Sequence, residues 1–173
     1  PAELETFAAA IQDKCPLAVP KAVGFLDGTW RDTSTPGGDD SSVQMACYSG
    51  YKKRHGITHQ GIVTPDGLMR YLSLAWEGRL SDSAVYLRAG IDSRIPFGYY
   101  VLADSIYART PRCLPIVRRT AIVNNAQRAF NAAVTHVRVS VEWAFGRIKN
   151  LFAGAFAVPK DRARLRSQSP GAE

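Results

Sequence analysis

The chain has 173 residues, a formal net charge of +7 and a hydrophobic content of 46%. This length favours a single domain with a substantial core, and no apolar run approaches the roughly 18 residues that a membrane helix needs. The three cysteines are widely spaced and include no Cys-x-x-Cys pair. That pattern fits neither a disulfide framework nor a zinc ribbon and indicates a reducing compartment.

The first half of the chain predicts one helix and a set of antiparallel strands. Residues 2–13 carry apolar side chains at helical spacing, and this helix ends before Pro16. Runs of β-forming residues predict strands near 22–27, 43–51 and 58–64. Pro65-Asp66-Gly67 predicts a turn, after which residues 68–76 return as the partner strand of a hairpin.

The second half of the chain predicts helices before and after one buried strand. Ser81 or Asp82 caps a short helix that runs through Arg88 and ends at Gly90. Residues 99–103 then predict a buried strand that leads directly into Asp104.

A long helix is predicted over residues 124–152. Its apolar residues follow a spacing of four and three, which produces one narrow stripe facing the sheet, formed by Phe130, Val134, Val137, Val141, Ala144 and Ile148. Glu142 lies at the edge of this stripe, one turn after Arg138, and we interpret Trp143 and Phe145 as packing residues. The order of elements fits an RNase H-like α/β fold, a mixed sheet with flanking helices in which the first strand neighbours the strand before Asp104.

Three acidic residues occupy sequence positions that suit a metal site. Asp27 and Asp104 each end an apolar run, and Glu142 lies on the packed helix. Carboxylates placed in this way can supply hard oxygen ligands for Mg²⁺ or Mn²⁺, and two such ions activate a water in phosphodiester cleavage. The alternative is that each acid is a turn former or helix cap, with Glu142 in an ordinary i, i+4 ion pair to Arg138.

Positive charge is clustered rather than evenly spread. The clusters are Lys52-Lys53-Arg54-His55, Arg109 with Arg112, Arg118-Arg119, and the tail residues Lys160, Arg162, Arg164 and Arg166. Such clusters favour a polyanionic partner bound through sequence-independent, salt-sensitive phosphate contacts. A solvated basic surface is the alternative, above all for residues 154–173, whose composition predicts disorder.

Five short sequence blocks follow one another in order through most of the chain. They are Phe25-Leu26-Asp27-Gly28-Thr29, the segment Tyr48 to Gly56 with Gln60 and Thr64-Pro65-Asp66-Gly67, then Glu77-Gly78-Arg79-Leu80-Ser81-Asp82, then Leu102-Ala103-Asp104-Ser105-Ile106-Tyr107, and finally Phe130-Asn131 with Arg138 to Lys149. In this order they resemble the DDE-type transposases and nucleases of the PIF/Harbinger class. One departure is Ser81, where that family usually has His before the Asp, so the role of the Ser81-Asp82 turn stays open.

The resemblance implies a catalytic site and its cofactors. Asp27, Asp104 and Glu142 would be the catalytic acids and the ligands of two Mg²⁺ or Mn²⁺ ions. The reaction would be cleavage of DNA phosphodiester bonds by an activated water, or strand transfer by a terminal DNA hydroxyl. Weaker DNA-binding assignments fall on Lys52, Lys53, Arg54, Arg138 and Lys149.

The resemblance also implies a domain organisation and a setting. We expect a helical lead-in over 1–20, a catalytic domain over 21–153 and a basic tail over 154–173. DNA is the expected partner, together with a separate Myb-like DNA-binding protein, a nuclear location and no membrane, while self-association stays open. Two alternatives remain: a silent DNA- or protein-binding module derived from a transposase, and an unrelated basic α/β domain whose acids are caps and ion-pair partners.

Overall fold

A computed structural model describes residues 2–16, 20–37 and 41–151, apart from the side chains of Ser140 and Val141. Its α-helices are α1 (Ala2–Lys14), α2 (Ser41–Cys47), α3 (Asp82–Arg88) and α4 (Asn125–Leu151). Its strands are β1 (Ala22–Asp32), β2 (Tyr48–Ser49), β3 (Arg54–Val63), β4 (Met69–Leu72), β5 (Trp76–Glu77), β6 (Tyr100–Ala103) and β7 (Cys113–Pro115). The tail predicted over 154–173 lies outside the described residues. None of the described helices is long and apolar enough to cross a membrane.

The strands form one mixed sheet with β1 at its centre. The strand order is β2-β3-β1-β6-β7, and β3 also pairs with β4 and β5. β1 runs antiparallel to β3, with Asp27 opposite Gly61, and parallel to β6, with Phe25 opposite Leu102. The predicted neighbourhood of the first strand and the strand before Asp104 is therefore confirmed.

The first strand is longer than its apolar run predicts. The run ends at Leu26, but β1 continues through Asp32 because Thr29 and Trp30 are good strand formers that stay paired with β3. Asp27 therefore lies within β1, not at its end. The pairing of β1 with β6 stops at Phe25. Asp27 therefore lies just beyond that pairing.

The strand predicted near 43–51 is wrong over most of its length. Residues 41–47 form α2, and only Tyr48 and Ser49 are extended. Val43 and Met45 are 48% and 62% exposed, so the apolar residues that suggested a strand have no sheet face to cover. Without such a face, the helix propensity of Gln44, Met45 and Ala46 decides the local structure.

Helices cover both faces of the sheet. Successive residues of β1 point to opposite faces, and Phe25 packs in a core cluster with Ile11 of α1 and Val134 of α4. Leu26 packs on the other side with Tyr86 of α3 and Ile91. The result is a mixed α/β domain whose flanking helices hold the central strand from both sides.

The docking of α4 depends on a glycine of the sheet. Val134, Ala144 and Phe145 are the buried residues that bring α4 onto the sheet. A Cβ atom at Gly61 would lie 2.7 Å from Cζ of Phe145, so the ring rests directly on the backbone of β3. Trp143 is 72% exposed; its interpretation as a packing residue is wrong, whereas that of Phe145 is confirmed.

Candidate active site

Parallel pairing places Asp27 and Asp104 side by side. Phe25 of β1 lies opposite Leu102 of β6, and each aspartate follows its paired residue by two positions. Because side chains two residues apart point to the same face of a strand, the two carboxylates leave the sheet on the same face. Asp104 comes directly after the last residue of β6. Its side chain is 43% exposed, against 22% for Asp27.

Arg138 of α4 lies between these two carboxylates. Its Nη2 atom donates a hydrogen bond to Oδ2 of Asp27 at 3.2 Å, and its Nη1 atom is 4.0 Å from Oδ1 of Asp104. The Arg138 side chain is only 13% exposed, and its Nε–H is buried without a hydrogen-bond acceptor. The expected i, i+4 pair with Glu142 is not formed, because the guanidinium is committed to the aspartates.

Burial and the charge of Arg138 shift the pKa of Asp27 in opposite directions. Desolvation raises the pKa of Asp27 above its ordinary value of 3.8, and the charge of Asp104 raises it further. The Arg138 charge and the hydrogen bonds from the Gly28 N–H and Arg138 lower it, but less than burial raises it. Burial therefore disfavours the charged form of Asp27 more than Arg138 and Gly28 favour it.

Asp82 is a third acidic group at this site. Burial is the largest cause of a raised pKa at Asp82, and the charges of Asp27 and Asp104 add to it. Its carboxylate packs against the backbone of Gly28, because a Cβ atom at that position would overlap the Asp82 carboxyl group. Nε2 of Gln60 donates a hydrogen bond of 2.9 Å to Oδ1 of Asp82.

No ion pair or hydrogen bond between described residues joins Glu142 to the carboxylate pair. Glu142 lies on α4 one turn after Arg138, with its side chain exposed, and it takes part in none of the ion pairs between described residues. Within the described ranges, no group of three or more His, Cys, Asp or Glu side chains is close enough to hold a metal ion. The convergence of Glu142 with the two aspartates thus stays a prediction.

The predicted DNA-binding residues divide into two groups. Lys52, Lys53, Arg54 and Lys149 are exposed, although Arg54 also contacts Oδ2 of Asp32 at 3.1 Å. Arg138 is turned inward to the aspartates. Its assignment as a DNA-binding residue stays a prediction.

A cleft of about 340 Å³ is lined by Asp82 and by Gly28, the residue after Asp27. Lys52, Arg79 and Trp30 also line this cleft. The Lys52 ammonium lies 5.4 Å from the centre of the Trp30 ring, a cation–π contact between two residues of the cleft. The lining thus combines the positive charges of Lys52 and Arg79 with the carboxylate of Asp82.

Sequence reasoning missed Gln60 and Asp82 as parts of the site. Gln60 is a fully buried polar residue within a strand, and a polar residue in an otherwise buried strand is a signal of a specific hydrogen-bonding role. Asp82 was hidden by its position, since an Asp at the start of a helix is an ordinary capping residue. Here Ser81 is the cap, accepting a hydrogen bond from the Ala84 N–H.

Comparison with known proteins identifies a family. The family model described as DDE superfamily endonuclease matches residues 26–168, most of the chain, including all the acidic residues of this site. No match was found among curated proteins or among solved structures. The extent of the family match establishes that the chain belongs to the DDE superfamily endonucleases.

Proposed function

We propose that this domain is a divalent-metal-dependent DNA endonuclease that performs transposase-type cleavage of phosphodiester bonds. The observation that carries the proposal is the pair of Asp27 and Asp104, two carboxylates on adjacent strands that share one buried guanidinium. This pair lies within the region that matches the endonuclease family. A carboxylate with a raised pKa, such as that of Asp27, is typical of catalytic sites.

The donor set fits Mg²⁺ or Mn²⁺. Carboxylate oxygens are the ligands these ions prefer, and Asp27 and Asp104 already face one shared cationic group. Two bound ions would supply an activated water and stabilise the leaving oxygen of the phosphodiester. Arg138 orients both carboxylates and offsets their mutual repulsion while no metal is bound.

Glu142 is the third acid of the proposed site. It lies four residues after Arg138, about 6 Å farther along the helix axis, and its exposed carboxylate has no ion-pair partner among the described residues. Metal or DNA binding would have to draw this carboxylate toward the aspartates. Its place in the proposal rests on the resemblance of the block Arg138 to Lys149 to that of the PIF/Harbinger class.

The exposed cations beside the cleft would bind the DNA backbone. Lys52 and Asp82 both line the cleft; Lys53 follows Lys52 in the same turn, and the exposed Arg54 begins β3. Lys149 would add a contact from the end of α4. Such contacts position the duplex without reading its sequence, so target choice would depend on another part or partner.

The fold type, the transposase class, the partner protein and the cellular location belong to the same proposal. The sheet order, with β1 between an antiparallel β3 and a parallel β6, supports an RNase H-like fold. The PIF/Harbinger class, strand transfer, the Myb-like partner and the nuclear location rest on the resemblance of the five blocks. We propose them as one set.

A second function, from another class, is a DNA- or protein-binding module that has lost cleavage. Two observations favour it: Arg138 already offsets part of the charge of the aspartate pair, and the described residues contain no group of three side chains that could hold a metal ion. In such a module Arg138 would be a permanent structural cation. Cleavage would then be absent although DNA binding persisted.

The test is nicking of supercoiled DNA in Mg²⁺ or Mn²⁺. We expect Asp27→Asn, Asp104→Asn and Glu142→Gln each to reduce nicking by orders of magnitude, because each removes a charged ligand. Asp66→Asn is the matched control, since Asp66 is also paired with an arginine, Arg70 at 2.7 Å, but in a turn away from the site. Melting temperatures verify folding.

The outcomes separate the candidate functions. The endonuclease is supported if the parent nicks DNA and if Asp27→Asn loses this activity while Asp66→Asn keeps it. A parent that binds DNA but never nicks it would favour the binding module. Equal rates for the parent and Glu142→Gln would remove Glu142 from the site and leave the aspartates in place.

A further inference from the structure

A buried polar chain runs from the core of the domain to the carboxylate site. Gln60 of β3 is fully buried and Tyr107 is 3% exposed. Polar groups buried to this degree carry a large desolvation cost unless they are hydrogen-bonded. Their hydrogen bonds therefore show what they are arranged to hold.

The directions of these hydrogen bonds are fixed. The Tyr107 hydroxyl donates to Oε1 of Gln60 at 2.5 Å, and Nε2 of Gln60 donates to Oδ1 of Asp82 at 2.9 Å. Burial raises the pKa of Tyr107, with further contributions from the charges of Asp82 and Asp27, so its hydroxyl keeps its proton. A phenol that donates requires the amide oxygen to face it, and the amide N–H then faces the carboxylate.

The target of this chain is Asp82, which a capping role does not explain. Ser81 already caps α3, so the Asp82 side chain is available to turn inward. It packs on Gly28, the residue next to Asp27. The charge of Lys52 lowers the pKa of Asp82. No ion pair to Asp82 occurs among the described residues.

We propose that Gln60 and Tyr107 are positioning residues that hold Asp82 as an additional functional carboxylate beside Asp27 and Asp104. No three of the described acids are close enough to share one ion, so Asp82 acts through its charge, strengthening the attraction of the aspartate pair for a divalent cation. This inference rests on the proposed metal-dependent function. It adds three residues to the site and assigns a role to the turn at Ser81-Asp82.

Two tyrosines provide a matched test. Tyr107 and Tyr86 are both buried, and their rings meet edge to face at 6.1 Å. The Tyr86 hydroxyl donates to Asp92 instead. Tyr107→Phe and Tyr86→Phe therefore each remove one buried hydroxyl from the same region of the core, but only the first breaks the chain to Asp82.

The primary measurement is Mn²⁺ affinity by titration calorimetry. We expect Tyr107→Phe to weaken it by about tenfold, as is usual when an indirect support of a metal site is lost, and Tyr86→Phe to leave it unchanged. Asp82→Asn keeps the hydrogen bond from Gln60 but removes the charge, and we expect it to weaken Mn²⁺ binding at least as much. If Tyr107→Phe fails to fold, Asp82→Asn decides alone.

Nicking kinetics supply the second measurement. Tyr107→Phe and Asp82→Asn should lower kcat while leaving KM for DNA near that of the parent, because the proposed contacts to the DNA backbone are made by Lys52, Lys53, Arg54 and Lys149. Equal Mn²⁺ affinities for the parent, Tyr107→Phe and Asp82→Asn would overturn the inference, whether or not the parent nicks DNA. A parent that binds Mn²⁺ more tightly than these variants but never nicks would sink the proposed endonuclease and leave the positioning role standing.

Discussion

At the scale of single residues, Arg138 is the most informative side chain in the domain. It is nearly buried and contributes one positive charge to two carboxylates, so the metal-free site is held together by an internal cation. Breaking a buried ion pair by removing one partner is costly, because it leaves the other charge buried without compensation. A divalent ion bound at the aspartates could take over part of that compensation.

This role predicts the behaviour of Arg138→Met. The substitution keeps an unbranched chain but leaves Asp27 and Asp104 to repel each other, and we expect the metal-free protein to lose about 2 kcal/mol of unfolding free energy. Mn²⁺ should then raise the melting temperature of the variant more than that of the parent. Arg70→Met is the control, because Arg70 pairs with Glu3 and Asp66 at the surface. A variant as stable as the parent without metal would contradict the role.

At the scale of elements, the position of α4 on the sheet decides whether the site exists. The helix carries both Arg138 and Glu142, and its buried contacts include Phe145 against the backbone of Gly61. Gly61 is opposite Asp27 in the β1–β3 register. A shift of α4 at this contact therefore moves the guanidinium relative to the aspartate that it holds.

Two glycine substitutions test this coupling. Gly61→Ala should destabilise the domain by about 1 to 3 kcal/mol, the usual cost of overpacking a core, and should lower nicking further by displacing Arg138. Gly146→Ala is the matched change on α4 itself, where a Cβ atom meets nothing within 4 Å; helix propensity predicts a gain of up to about 1 kcal/mol. Thermal melts and nicking rates of both variants are the measurements. Unchanged stability of Gly61→Ala would show that the Phe145 contact is not tight.

At the scale of the whole molecule, overall charge and local charge have opposite signs. The chain carries a net charge of +7, which attracts DNA at long range, whereas Asp27, Asp82 and Asp104 form a negative site that repels a phosphate. A divalent cation at the site would remove that repulsion. Binding of metal and binding of DNA should therefore strengthen each other by the same factor.

The salt dependence of DNA binding tests the positive surface. If about six phosphates are neutralised, the logarithm of the binding constant should fall with the logarithm of salt concentration at a slope near −5. Reversal of Lys52, Lys53 and Arg54 to Glu should reduce the magnitude of that slope by roughly 2 to 3. Reversal of Lys14, Arg88 and Arg128, exposed cations elsewhere, is the control. A slope that the first triple change leaves intact would place the DNA on another surface.

The sequence predicted those parts of the fold and site that depend on local pattern. The helices α1, α3 and α4 followed from apolar periodicity and turn residues. The neighbourhood of β1 and β6, and with it that of Asp27 and Asp104, followed from the fold that the order of elements fits. Side-chain contacts between distant segments could not be predicted. Arg138 reaching Asp27, and Gln60 linking Tyr107 to Asp82, depend on how α4 and α3 pack, which no local pattern encodes.

The contact between Arg138 and Asp27 joins residues 111 positions apart, and this separation has a consequence for the order in which the chain is made. A polypeptide grows from its N-terminus, so β1, β3 and β6 can pair while α4 is still unsynthesised. The aspartate pair then exists without its cation, and contacts this distant in sequence form late in folding. A chain interrupted before residue 138 would carry both aspartates without Arg138, so the two carboxylates would lack the guanidinium that lies between them.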